Sequence, residues 1–269
     1  KTGVGVALAR RLGAEIVSLD SMQVYRGMDI GTAKPTAADR EAVPHHLLDV
    51  ASPKKQFTVV QYRQLAEKKL EEIIARGKTP IICGGTGFYI DAVAKGIVLP
   101  DVPPNQKLRR ILQKKPTAVL FRMILKLDPR RAKNLDPKNK VRLIRAIEIA
   151  KALGKVPQIT EVLPKYKFIK IGLHLPPEKL KKKIEQRVRK MFQDGLLNEI
   201  KKIKRSGVSE KRLQELGFEY WKPTPEKVIL ETLKYAKRQM TWFKRDNEIK
   251  WFDASTKNLS KIILLVKKD

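Results

Sequence analysis

Asp20 opens the stretch richest in reactive groups, DSMQVYRGMDIGTAKP, which ends at Pro35. Within it lie Asp29, the hydroxyls of Ser21, Tyr25 and Thr32, the Gln23 amide, the cations Arg26 and Lys34, and Gly27 and Gly31. Such a set can accept a proton, hold an anion and let backbone approach a ligand closely. A loop built only to turn would use Asp20 and the two glycines and leave the rest without a purpose. Two further clusters could act with it. Gly84-Gly85-Thr86-Gly87 offers backbone amides to a ligand. Lys1-Thr2, opening a helical pattern that leads to a strand ending in an acid, has the form of the back half of a Walker A phosphate loop. The glycine-rich front half of that pattern would stand before Lys1.

These groups need elements to aim them. Ala14 to Leu19 is short, partly β-branched and bounded by Gly13, which predicts a buried strand with Asp20 at its carboxyl end, where open α/β sheets place their chemistry. Val4, Leu8 and Leu12 predict a helix before it, stopped at Gly13. Thr36 and Asp39 can cap a short helix. Pro44-His45-His46 leads into an apolar run; with no second ligand cluster at metal spacing, it reads as the start of a strand with one buried imidazole. Thr58 caps an amphipathic helix carrying Tyr62, Ala66, Leu70, Ile73 and Ile74, ending at Gly77. Pro80 to Cys83 is a second buried strand, and Phe88 to Ala94 a helix after the glycines. Repetition of strand, loop and helix predicts a parallel sheet.

Pro100, Pro103 and Pro104 mark a linker into a helical segment reaching about Pro164. There Arg142 and Arg145 stand three apart, where one phosphate could bridge them, although a solvated basic face fits equally. Lys167 to Leu175 returns to strand character and is expected to rejoin the sheet. The helix after Pro176-Pro177 turns Leu180, Ile184, Val188 and Met191 inward, leaving Lys183 and Arg187 to meet a phosphate. Trp242 and Phe243 lie among Lys237, Arg238, Lys244 and Arg245. That pattern suits base stacking on a phosphate-binding surface, and equally a core anchor for the last long helix.

The chain has 269 residues with 58 basic against 28 acidic side chains, a net charge of +30, which points to a polyanionic partner, nucleic acid before membrane. Its single cysteine excludes a disulfide framework and a cysteine zinc site. With no apolar run of membrane length and no signal pattern, a soluble cytoplasmic protein is expected.

Six blocks in order, DSMQVYRGMDIGTAKP at 20–35, PHHLLDV at 44–50, GGTGFYI at 84–90, RLIRA at 142–146, ELGFEYW at 215–221 and KRQMTWF at 237–243, make the chain resemble the tRNA dimethylallyltransferases (tRNA isopentenyltransferases) over nearly its whole length. With a single cysteine and three histidines it lacks a zinc-finger extension and is closer to the bacterial form. The resemblance implies an α/β fold: a P-loop NTPase-like parallel sheet flanked by helices at 1–100 and 165–269, with an inserted all-helical, tRNA-binding domain at 101–164. It implies transfer of a dimethylallyl group from dimethylallyl diphosphate to the N6 amine of the adenosine 3′ of a tRNA anticodon, by a monomer using Mg²⁺. Lys1, Thr2 and Arg187 would hold the diphosphate, Thr2 would ligate the metal, and Asp20 would take the N6 proton. Asp20, Ser21, Met22, Gln23, Thr86, Arg109, Arg142, Arg145, Gly217, Lys237, Arg238 and Gln239 would contact the tRNA. Spans near Lys115-Pro116 and between Trp221 and Pro225 are shorter than the family's pattern. The alternatives are a P-loop kinase using ATP, which leaves the basic segment unexplained, and a tRNA-binding protein without catalysis.

Overall fold

The computed structural model describes residues 1–158, 160–161, 165–254 and 258–268. The first elements are α1 (Thr2–Leu12), β1 (Glu15–Leu19), α2 (Ala37–Ala42), β2 (His45–His46), α3 (Val59–Ala75), β3 (Pro80–Gly84) and α4 (Gly87–Ala94). The strands form a parallel sheet in the order β2-β1-β3, with Leu19 opposite Gly84 at the carboxyl ends of β1 and β3. All five residues of β1 are buried, as a strand covered on both faces must be. Alternation sorts its side chains. Ile16, with Ile81 and Cys83 of β3, packs against Val6 and Ala9 of α1. Val17, Leu19 and Ile82 face Tyr62, Ala66, Leu70 and Ile73 of α3.

Local signals account for where the helices stop and start. Gly13 ends α1 in the left-handed conformation, at φ 61°, with its N–H on the Ala9 carbonyl. Thr36 and Thr58 each form a capping box, with Asp39 and Gln61 respectively. His46 donates or accepts through Nε2 at 2.6 Å from Glu15, and His45 packs its Nδ1 on the Val43 carbonyl. Among the described residues no group of three or more His, Cys, Asp or Glu could hold a metal.

The chain then runs through β4 (Ile97–Val98), α5 (Gln106–Gln113), α6 (Thr117–Leu127), α7 (Pro129–Lys133), α8 (Lys140–Leu153) and β5 (Thr160–Glu161). These belong to a separate compact unit, Ile97–Leu163, with its own core of Leu112, Leu120, Ile124, Leu143 and Ile147. It is not wholly helical, because β4 and β5 pair antiparallel.

The other unit, Lys1–Gly96 with Pro164–Asp269, resumes with β6 (Ile171–His174), α9 (Pro177–Gln193), α10 (Leu196–Arg205), α11 (Glu210–Glu215), α12 (Pro225–Phe243), β7 (Lys250–Asp253) and α13 (Leu259–Lys268). Here one expectation fails. Only Ile171–His174 of the 167–175 run is strand, and it pairs in parallel with β7, not with β1–β3. Alternating apolar residues say which side of a strand is buried and nothing about which neighbour takes its hydrogen bonds. The pairing with β7 is close: a Cβ on Gly172 would lie 2.5 Å from the Trp251 ring. Among the described residues no helix is long and apolar enough to cross a membrane.

Candidate active site

Parallel pairing of β1 and β3 brings two loops out of the sheet side by side. Gly84 tolerates no side chain, because a Cβ would lie 2.0 Å from the Leu19 carbonyl oxygen. Asp20 Oδ1 accepts the N–H of Met22 at 2.9 Å and of Gln23 at 3.4 Å, an Asx turn that ends the strand. None of the described residues donates to its other oxygen, which is left for a ligand. The loops are joined where Thr86 Oγ1 accepts the Ser21 N–H at 3.2 Å.

Buried polar groups then hold the 20–35 loop in place. Gln23 spends its amide inside the protein, accepting from Ser18 Oγ at 2.8 Å and donating to the carbonyls of Thr32 and Ala33, both at 3.2 Å. Glu199, on the buried face of α10, accepts the N–H groups of Asp29, Ile30 and Gly31 and the hydroxyl of Tyr220. Lys34, its side chain 1% exposed, bonds the Tyr25 carbonyl, Asp29 and Asp49. The stretch that reads as uniformly reactive is therefore mostly brace, and Asp20 is the group it presents.

Charge gathers around that carboxylate. Lys1 Nζ sits against Gly85 and donates to Gln239 Oε1 at 3.4 Å. Desolvation lowers its pKa, and Asp20 is the strongest opposing influence. Arg187, on α9, is exposed by surface area, yet desolvation by the protein around it lowers its pKa against the pull of Glu219 and Asp20. The Tyr62 hydroxyl, bonded to the Ser18 carbonyl, and that of Tyr89 are both pushed up by burial, with Asp20 adding to each. Burial likewise pushes the Cys83 thiol up, so it stays neutral beside Lys1. Lys1, Asp20 and Arg187 thus belong to one electrostatic cluster. Thr2 opens α1 next to Lys1. The Thr2 hydroxyl and Asp20 carboxylate are hard oxygen donors, few in number, which fits Mg²⁺ sharing its shell with phosphates and water.

Glu219 is the member that no sequence feature singled out, although it lies in the 215–221 block. Burial raises its pKa from 4.5 to about 7; Arg187 opposes the rise and Asp20 adds to it. The folded chain therefore keeps a proton that the unfolded chain releases between these values, so this group's contribution to stability falls as pH rises from 4.5 to about 7. Glu219→Gln has no such proton to lose. Its melting temperature should match the parent near pH 4.5 and exceed it above pH 7, by the equivalent of about 2 kcal/mol, reduced from the full shift because the side chain keeps part of its surface in water. Parallel melting curves from pH 4 to 9 would sink the assignment.

The remaining expected contacts are distributed unevenly. Arg109 is forked onto buried Glu148 at 2.9 and 2.8 Å, and Arg145 reaches the same carboxylate at 2.6 Å. A phosphate bridging Arg142 and Arg145 would have to compete with Glu148 for Arg145. Arg142 is exposed, and its side chain has no partner among the described residues. Lys237 and Arg238 are exposed on α12, with Arg238 lying over the Tyr235 ring. Gly217 takes φ 110°, where a side chain would be strained. The open question at Trp242 resolves toward an anchor: its Nε1 donates to Asp91 at 2.9 Å, and a Cβ on Gly87 would lie 2.4 Å from its ring.

A carboxylate with one free oxygen at the carboxyl ends of parallel strands, under the electrostatic influence of two cations, is suited to an anionic substrate. Residues 23–246 match the family model described as IPP transferase. Over its whole length the chain is 37% identical to the tRNA dimethylallyltransferase of Halothermothrix orenii, covering 88% of that protein. It is 38% identical over 99% of its length to that of Dictyoglomus turgidum, covering 87%. A crystal structure of the tRNA isopentenylpyrophosphate transferase of Bacillus halodurans superposes on all of this chain and 92% of its own, with TM-score 0.72 and 34% identity. A eukaryotic dimethylallyltransferase, captured acting on tRNA, shares the fold at TM-score 0.80 and 24% identity, with 76% of its length covered. The chain belongs to the IPP transferase family.

Proposed function

We infer that this chain transfers a dimethylallyl group from dimethylallyl diphosphate to the N6 amine of the adenosine 3′ of a tRNA anticodon. The observation that carries the reading is Asp20, one oxygen spent on its own turn and the other free, in one cluster with Lys1 and Arg187. The amine attacks the allylic carbon, the carbon–oxygen bond to the diphosphate breaks with its electrons going to the leaving oxygen, and Asp20 takes the N6 proton. An aromatic amine is a weak nucleophile, so a fixed base beside it matters. Lys1 and Arg187 neutralise the departing diphosphate. Mg²⁺ held by Thr2, when bound, would supply further charge neutralisation at the diphosphate. The adenosine must leave the anticodon stack to reach Asp20, at a cost of roughly a few kcal/mol. In this reading Lys1 and Thr2 close a P-loop-like cradle, and the unit Ile97–Leu163 is the inserted RNA-binding domain.

The test is transfer of labelled dimethylallyl from its diphosphate to an unmodified anticodon stem-loop. Label in the RNA that requires the target adenosine and Mg²⁺ is the expected result. Tight RNA binding without transfer would favour a binding protein, and stabilisation by ATP in place of dimethylallyl diphosphate would favour a kinase. Arg142, the arginine of the Arg109, Arg142 and Arg145 set that Glu148 does not engage, gives a second expectation. Arg142→Ala should weaken stem-loop binding several-fold and reduce the slope of its salt dependence by about one phosphate, leaving diphosphate affinity unchanged. Unaltered RNA affinity at every salt concentration would remove α8 from the interface.

A further inference from the structure

The only acid of α8, Glu148, has a side chain 1% exposed, among buried Leu143, Ile144 and Ile147. Every acceptor position on its carboxylate is filled. Oε1 accepts the Asn105 N–H at 2.6 Å and Arg109 Nε at 2.9 Å, and Oε2 accepts Arg109 Nη2 at 2.8 Å and Arg145 Nη1 at 2.6 Å. An apolar side chain of similar size would join α5 to α8 without desolvating three charges, so stability alone gives little reason for the cluster. One arginine would complete a buried ion pair, since the fork of Arg109 already reaches both oxygens. The second leaves the cluster cationic. What stays in contact with water is cationic too: the Arg109 and Arg145 side chains are 23% and 34% exposed. Glu148 takes one edge of the Arg109 guanidinium and a single N–H of Arg145, and the remaining N–H groups of both have no partner among the described residues.

We propose that Glu148 is a positioning residue for the RNA: it fastens Arg109 and Arg145 side by side so that their remaining N–H groups receive one backbone phosphate of the anticodon arm. The proposal rests on the transfer reading for the identity of that RNA. Carboxylate and phosphate compete only for the N–H groups that Glu148 already holds, and each guanidinium has others. Two free arginines lose the rotamer freedom of their stems when they meet a phosphate, whereas a fastened pair has lost it beforehand. Planar forks also match phosphate oxygens in pairs, which lysines in their place would not. A surface that attracts RNA by charge alone makes the opposite prediction. Glu148 is an anion in a chain of net charge +30, so deleting its charge should then tighten binding to a polyanion. If Glu148 holds the two arginines in place, the same deletion weakens binding.

The experiment compares the parent, Glu148→Gln and Glu148→Asp by anticodon stem-loop affinity across a range of salt, by dimethylallyl diphosphate affinity, by steady-state transfer and by thermal melting, with binding read well below each melting temperature. Glu148→Gln keeps the size, removes the charge and turns an N–H₂ toward an arginine. It should raise stem-loop Kd and KM about five- to twentyfold and reduce the salt slope by about one phosphate, with kcat at saturation and diphosphate Kd within about twofold of the parent. Glu148→Asp keeps the charge but is a methylene too short to hold both arginines. It should show a similar loss at unchanged net charge, and it decides the matter if the glutamine variant does not fold. In an Arg145→Ala background, Glu148→Gln should cost less RNA affinity than in the parent, because half of the pair it positions is gone. Stem-loop binding tighter than the parent's in a folded variant would overturn the proposal in favour of bulk charge. A lowered melting temperature with unchanged RNA affinity and salt slope would overturn it in favour of a purely structural ion pair. A parent protein that binds the stem-loop but transfers nothing would sink the transfer reading alone, and the RNA affinities of the variants would still decide the role of Glu148.

Discussion

Asp20→Asn is expected to lower dimethylallyl transfer by about 10²- to 10⁴-fold while both substrates still bind, because it removes a proton acceptor and little else. The asparagine oxygen can go on accepting the Met22 N–H that Asp20 Oδ1 takes at 2.9 Å, so the turn ending β1 survives. What changes is the other atom, an acceptor in the parent and an N–H₂ donor in the variant, facing the amine that must lose its proton. Asp20→Ala removes the turn acceptor too. It should show the same loss of turnover together with a small drop in melting temperature, on the order of 1 kcal/mol for the lost turn bond. Single-turnover transfer with pre-bound RNA reads the chemical step, and separate titrations read the two affinities. If Asp20→Asn turned over near the parent rate, Asp20 would not be the base. A large rise in diphosphate Kd with an unchanged single-turnover rate would instead assign it to metal or leaving-group binding.

The parts of this site legible in the sequence are those encoded within a few residues. Gly13, Thr36 and Thr58 act through their own backbone or through a neighbour three or four positions away, and their roles follow from residue type. The placement of Asp20 at a strand end is of the same kind, while the repeated strand-loop-helix pattern indicated a parallel sheet without saying which strands pair. What could not be read is set by contacts between distant segments. Nothing local says that Gln23 turns its amide onto Thr32 and Ala33, or that Lys34 is buried against Asp29 and Asp49. Glu148 shows the signal that was available. It sits among buried Leu143, Ile144 and Ile147 on α8, and a carboxylate there must find donors, which turn out to be Arg109, Arg145 and the Asn105 N–H. That demand competes with the phosphate that the basic pattern alone suggested for Arg145. Partner choice for β6 escaped for a related reason, since a four-residue strand carries faces but no address.

Glu199→Ala should be the most destabilising single substitution among those considered, by about 3–5 kcal/mol, or roughly 6–20 °C in melting temperature for a chain of this size. The position gives the same warning as Glu148: Leu196, Ile200 and Ile203 are buried around it on α10, and Glu199 itself is 8% exposed. Its carboxylate makes no ion pair among the described residues. The charge is held by three successive backbone N–H groups, those of Asp29 and Ile30 at 2.8 Å and of Gly31 at 3.1 Å, and by the Tyr220 hydroxyl at 2.8 Å. Truncation to alanine strands all four donors in a place water reaches poorly, which costs more than the lost bonds were worth. The loss also reaches the site. Gly31 can only be glycine, since a Cβ there would lie 2.6 Å from the Tyr220 ring, and the next residues, Thr32 and Ala33, supply the carbonyls that hold Gln23. Glu199→Gln separates the two effects. Its carbonyl oxygen can keep the Asp29 and Ile30 donors, but its amide nitrogen would face the Gly31 N–H, donor against donor. That variant should fold with about half the loss and show a lowered kcat at nearly unchanged diphosphate affinity, because the loop behind Asp20 is loosened while Lys1 and Arg187 are not touched. Thermal melts of both variants beside the parent check the ordering. An alanine variant melting within about 1 °C of the parent would mean that the 29–31 backbone does not depend on this carboxylate.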